Sequence, residues 1–311
     1  MPANPFAAAS PAAVATSAPA WHQPWLLAIA GALAALLSLL LGNLQALLQH
    51  PQYGDFLLED LPARLVDWSF TILFTALSAA LFSRGYFEQQ GVACKRPRRV
   101  ALGFAIALLL IDQLYGLLYG MLDQRLYDWL SASGLPLSIT YDVINLLGLI
   151  ITTLAPLWLV LHLSARRPQA PGLLVGHEAA LLLGACVALL QLKAVQLTPL
   201  HLFDSSGGWS VPLYASALLA GALVGACAWR NLPPSLARMR PGQLALTALV
   251  IFLIWLLANL LVAALLLVAI MLGGDPLWQL LLLIVFGSTL LVLLWPLTLL
   301  GLRWIYRAEA A

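Results

Sequence analysis

Eight stretches of this chain, at about 25 to 47, 67 to 83, 100 to 121, 142 to 163, 174 to 199, 212 to 229, 243 to 272 and 277 to 301, are apolar almost without a break. Roughly 20 such residues carry a helix across the hydrocarbon layer. In lipid only a helix or a closed barrel satisfies its own backbone. The expected fold class is an all-α membrane protein with eight transmembrane helices, the seventh longer than a crossing requires and so tilted or extended past the interface. Composition agrees, with 62% hydrophobic and 9% charged residues, where a soluble domain carries about 25% charged. A soluble fold, a disordered chain and a cysteine-stapled secreted fold are excluded on those grounds. A formal net charge of +2 carries no nucleic-acid signature.

Lys and Arg are retained on the cytoplasmic side of a membrane protein, so their distribution gives the orientation. One alternate set of connections holds Arg84, Lys95, Arg96, Arg98, Arg99, Arg166, Arg167, Arg230, Arg238, Arg240, Arg303 and Arg307, and the other only Arg64 and Arg125. Asp55, Glu59, Asp60, Asp67, Asp123, Asp128, Asp142, Asp204 and Asp275 lie on the base-poor side. Both termini are expected in the cytoplasm and, for a bacterial inner membrane, the acidic loops in the periplasm. No Lys or Arg precedes the first window and no small-x-small site follows it at Ala46 to His50, so it reads as a retained helix rather than a cleaved signal. Residues 1–24 read as a disordered cytoplasmic tail, rich in Ala, Pro and Ser at its start. Cys94 falls in a cytoplasmic loop open to labelling, while Cys186 and Cys227 lie within spans; no CxxC pair suggests a metal or redox centre.

The chain also looks duplicated. Trp68-Ser69 opening the second span returns as Trp209-Ser210 opening the sixth, and Arg96-Pro97 before the third as Arg240-Pro241 before the seventh. Gly134-x-Pro136-Leu137 returns as Gly274-x-Pro276-Leu277, and Pro156-Leu157 as Pro296-Leu297, in the same order. Two tandem four-helix repeats are expected, at 25–167 and 174–311. An even number of spans gives the two repeats one orientation, related by an axis along the membrane normal. Small residues in the second and sixth spans, among them Ala76, Ala79, Ala80, Ala217, Ala220, Gly221, Gly225 and Ala226, suit close helix contact. Such a face serves packing within the bundle, a homodimer or a membrane-protein partner.

An ionisable residue at mid-bilayer costs about 2.5 to 3.5 kcal/mol on insertion scales, so each needs a partner or a purpose. Asp112 stands about 18 Å into the third span and Lys193 about 22 Å into the fifth, counting 1.5 Å per residue from Val100 and Glu178. Opposite charges at like depth on different repeats suggest an ion pair. Asp112, Tyr115 and Tyr119 share one helix face, with Gln113 adjacent. Gln191 and Gln196 flank Lys193, and Asn259 aligns with Tyr115 in the second repeat. One reading is a polar centre admitting an ion, a proton or a small polar solute at Asp112. The other is a structural salt bridge in a regulatory, assembly or protective membrane subunit.

His50, Asp55, His201 and Asp204, with Glu59 and Asp60, form a weaker set of potential divalent-metal ligands, for which solvated loop residues are the plainer account. His177-Glu178 opens like a zinc-protease helix, but Leu181 stands where the second ligand must lie. No nucleophile elbow, phosphate loop or dinucleotide fingerprint occurs. A non-enzymatic protein without a cofactor is expected, its partners the lipid bilayer and a small polar solute or ion, or else a second copy or another membrane protein.

Overall fold

A computed structural model describes residues 22–49, 52–55, 61–133, 137–168, 174–197, 210–233, 235–236, 240–271 and 276–306. The tail at 1–20 and the loop residues His50, His201 and Asp204 lie outside the described residues, as do the side chains of Gln196 and Asp123. The described residues divide into two compact units, 22–168 and 174–306.

In the first unit the long helices are α1 (His22–Gln49), α2 (Leu61–Gln90), α3 (Pro97–Ser133) and α4 (Leu137–Leu163). In the second they are α5 (Gly176–Leu197), α6 (Ser210–Asn231), α7 (Pro241–Met271) and α8 (Pro276–Tyr306). Three of them, α3, α7 and α8, begin on a proline, where the missing N–H has no intrahelical partner to lose and the fixed φ suits the first turn. Among the described residues seven helices, all but α6, hold a stretch long and apolar enough to cross a membrane. Their outward faces are correspondingly greasy: Leu110, Leu257 and Val292 are 66%, 69% and 71% exposed. Water would punish such continuous apolar surface, whereas lipid accepts it. The chain is a helical, polytopic membrane protein.

α3 departs from expectation. Its 37 residues run to Ser133, well beyond the apolar window that ends near 121. Arg125 and Asp128, expected in a loop, therefore lie on a helix, where Gln124 Nε2 donates to Asp128 Oδ1 at 3.1 Å. The reason is local: no proline or glycine occurs between Gly120 and Gly134 to stop the helix. α2 likewise begins at Leu61, which places Arg64 on its first turns rather than in a connection.

In the first unit α1 packs against α2 and α3, and α4 against α3 and α2. The core where they meet is built from Leu27, Ala34, Ala79, Phe104, Leu157 and Leu161, each at most 4% exposed. In the second unit α5 packs against α6 and α7, and α8 against α7 and α6. The α5–α6 contact is the closest, because Gly184, Gly221 and Gly225 stand where the two backbones meet. Small residues permit that approach, and van der Waals contact between the helices rewards it.

Two short antiparallel ladders tie connections together. Strand β1 (Val92–Cys94) pairs with β2 (Arg166–Pro168), Cys94 opposite Arg166, and β3 (Leu174–Val175) pairs with β4 (Ser235–Leu236). The β1 edge is also held by a side chain that imitates a strand: Cys94 N–H donates to Gln23 Oε1 at 3.0 Å, and Gln23 Nε2 donates to Cys94 O at 3.2 Å. Cys94 is consequently only 2% exposed. The expectation of a loop thiol open to labelling is corrected by this clamp.

Candidate functional site

Asp112, on α3, is a half-buried carboxylate of the first unit. Its carboxylate Oδ2 accepts a hydrogen bond from the Ser38 hydroxyl of α1, across the α1–α3 contact. Gln113 Nε2 donates to the same Ser38 oxygen at 3.0 Å. The three side chains thus form a line of amide, hydroxyl and carboxylate, in which the hydroxyl accepts from one neighbour and donates to the other. Among the described residues of this unit no cation pairs with Asp112.

Tyr115 lies one turn further along the face that carries Asp112. Its ring covers Gly148 of α4 so closely that a methyl group there would fall within 2.9 Å of Cε1. A larger residue at 148 would require the phenol to move aside. Tyr119 stacks on Tyr115 with centroids 5.9 Å apart and planes at 24°. Asp112, Tyr115 and Tyr119 are therefore assembled on one side of α3, as their spacing predicts.

Towards the other end of α1 stands a second polar chain. Arg64 Nη1 donates to the Tyr53 hydroxyl, which donates to Asn43 Oδ1 at 3.2 Å, and Asn43 Nδ2 returns to Leu39 O at 2.6 Å. The Arg64 guanidinium also sits over the Tyr53 ring, 5.0 Å from its centroid. Ser38 and Asn43 are about 7.5 Å apart along the helix axis at 1.5 Å per residue.

In the second unit Gln191 is 2% exposed, and its amide Nε2 has no hydrogen-bond partner among the described residues. A buried donor left unmet costs about 1 to 3 kcal/mol. Lys193 is half-buried two residues further along α5. Asn259 Nδ2 donates to the Trp255 carbonyl of its own helix at 2.7 Å. Asp112 and Lys193 fall in different units.

Ser38 is the residue that sequence reasoning missed. The depth count that singled out Lys193 finds it too: Ser38 is 16 residues from the start of α1 at His22, Asp112 15 from the start of α3 at Pro97, about 24 and 22 Å. Of the metal candidates, Asp55 is exposed and closes a turn, its N–H donating to Gln52 O at 3.2 Å. Among the described residues no group of three His, Cys, Asp or Glu side chains converges. His177 stacks on Trp229 with centroids 3.8 Å apart, a packing contact at the end of α5.

Comparison with models of protein families, with curated proteins and with solved structures gives no match.

Proposed function

We propose that this chain is an eight-span protein of a bacterial inner membrane, with both termini in the cytoplasm, that passes a small polar or ionic solute by way of the Asp112 carboxylate. The observation that carries the reading is the Ser38–Asp112–Gln113 line. A fastener calls for a charge of opposite sign held close, since a lone ion in lipid is costly. Within its unit Asp112 meets a hydroxyl and lies beside an amide instead. Carboxylate, hydroxyl and amide oxygens are the hard ligands that suit a proton, a small cation or a hydrogen-bonding solute.

A duplication is supported by features that recur in the two quartets. In each, the first helix meets the second and third, and the fourth meets the third and second. Each fourth helix carries an internal proline, Pro156 in α4 and Pro296 in α8. The connection before each third helix is bonded to the end of the fourth, Lys95 N–H to Ala165 O at 3.0 Å and Arg240 Nη1 to Ile305 O at 2.9 Å. The position of most cations on one set of connections supports the orientation. α6 then serves as the eighth span, its apolarity diluted by the small residues that its contact with α5 demands.

A second reading, a membrane regulatory, assembly or protective subunit, is favoured by the second repeat, where Leu256 stands at the position that aligns with Asp112 and supplies no carboxylate. Reconstitution separates the two. Proteoliposomes loaded with a pH-reporting dye, and a parallel set assayed for radioactive sodium uptake, should show a flux absent from empty vesicles. Asp112→Asn should abolish it at unchanged protein yield, and Ser38→Ala should reduce it. If neither flux depends on Asp112, or if Asp112→Leu with Lys193→Leu restores yield that Asp112→Asn loses, the transport reading falls and the structural one stands.

A further inference from the structure

At the end of the first unit where α3 begins and α4 finishes, the chain forms a groove of about 430 Å³. Lys95, Arg96 and Arg99 line one side of it, and Val160, Leu163 and Ser164 the other. Its construction is fixed by backbone bonds: the β1–β2 ladder draws the connection before α3 onto the chain leaving α4, and Lys95 N–H donates to Ala165 O at 3.0 Å. The three cationic side chains are exposed, and among the described residues none of them makes a hydrogen bond or ion pair. Their neighbour Arg166 is differently employed, donating to His162 O at 2.7 Å and to Gln90 Oε1 at 3.2 Å. The Ser164 hydroxyl is turned back to Leu161 O at 2.9 Å.

We propose that this groove binds the phosphate headgroup of an anionic phospholipid, its acyl chains lying along α3 and α4. Charge complementarity argues for the phosphate, since three cations converge with no acid among the described residues to answer them. The opposite wall argues for a lipid over a free anion. Val160 and Leu163 are apolar, Leu163 is 74% exposed, and Leu102 continues the greasy surface along α3 at 63% exposed. A soluble phosphate has no use for that wall, whereas a lipid fills both halves of the site. The volume falls in the range of sites for ligands of headgroup size. Arg240, which aligns with Arg96 under the duplication, is instead bonded to the Ile305 carbonyl at 2.9 Å.

The test uses the purified full-length protein in neutral detergent, with bound lipid counted by native mass spectrometry. Dioleoylphosphatidylglycerol should bind more tightly than dioleoylphosphatidylcholine. Each cation near an anionic headgroup is worth about fivefold in affinity, so Lys95→Gln, Arg96→Gln and Arg99→Gln together should weaken phosphatidylglycerol binding roughly a hundredfold. Arg230→Gln with Arg303→Gln, which removes two cations elsewhere, should leave it unchanged. Should the triple variant fail to fold, Arg96→Gln and Arg99→Gln singly are each expected to show about the fivefold loss. Leu163→Gln should weaken the lipid while leaving inorganic phosphate binding as it was. Equal binding of the two lipids, equal loss in the Arg230 and Arg303 control, or inorganic phosphate binding as tightly as phosphatidylglycerol would each overturn the proposal.

Discussion

A methyl group placed on Gly184 would stand 2.7 Å from the carbonyl oxygen of Gly221, closer than carbon and oxygen tolerate. The backbones of α5 and α6 therefore touch, and the glycines are required by proximity rather than by a turn. Two neighbouring positions on α6 respond differently. A methyl at Gly221 would meet Ala188 Cβ at 2.5 Å and Gly184 O at 2.7 Å, whereas one at Gly225 meets nothing nearer than Ala180 O at 3.5 Å. Gly221→Ala should cost about 1 to 3 kcal/mol by overpacking. Gly225→Ala should change stability by no more than about 0.5 kcal/mol, the range of substitutions that disturb no packing. Thermal unfolding of both variants in detergent checks this, and equal losses would show that the helices are not in contact as described.

The Cys94 thiol gives a test of the β1 clamp. Burial raises its pKa above the ordinary 9.0, while the Ser164 hydroxyl and the Arg166 charge pull it partly back. Maleimides attack the thiolate, whose fraction falls tenfold for each unit between pH and pKa. Labelling at about neutral pH should be slow and should climb as pH rises through and beyond 9.0. Arg166→Gln, which removes a lowering influence, should slow it further. Gln23→Ala, which deletes both side-chain bonds to the strand, should speed it. A rate in the intact protein equal to that of an unfolded control would show that Cys94 is not enclosed.

What could be read in the sequence depended on whether a feature was carried by one helix or by two. Apolar windows belong to single helices, so the positions of α4, α5 and α7 follow from them closely. The shared face of Asp112, Tyr115 and Tyr119 follows in the same way from helical spacing. Contacts between helices were less visible. Ser38 is one hydroxyl in a run of Leu and Ala, and only its depth beside Asp112 marks it. Gly148 looks like any glycine in a membrane helix until the Tyr115 ring is found lying on it. Cys94 sits in a stretch of loop character, and its burial comes from Gln23, 71 residues earlier. The far end of α3 is obscured for another reason: the polar residues after 121 end the apolar window but not the helix.

The sidedness of the termini turns on α6. Among the described residues seven helices carry apolar stretches sufficient to cross a membrane by themselves, and seven crossings would leave the two termini on opposite sides. α6 spans 22 residues, about 33 Å at 1.5 Å per residue, which matches the hydrocarbon thickness of roughly 30 Å. Its hydropathy is lowered by Ala and Gly, several of them buried: Ala217, Ala220 and Ala228 are at most 1% exposed. Leucine there would raise the hydropathy and destroy the contact with α5. A helix whose neighbours supply the apolar surroundings does not need to be strongly apolar itself, so α6 should cross. Reporters that are active on only one side of the membrane, fused in turn to the N-terminus and the C-terminus, should then both report the cytoplasm. A fusion in the connection at 198–209 should report the opposite side, and one at 232–239 the cytoplasm again. Termini found on opposite sides would remove α6 from the spans, and the same-orientation duplication would go with it, because an odd number of crossings cannot be divided into two equal quartets.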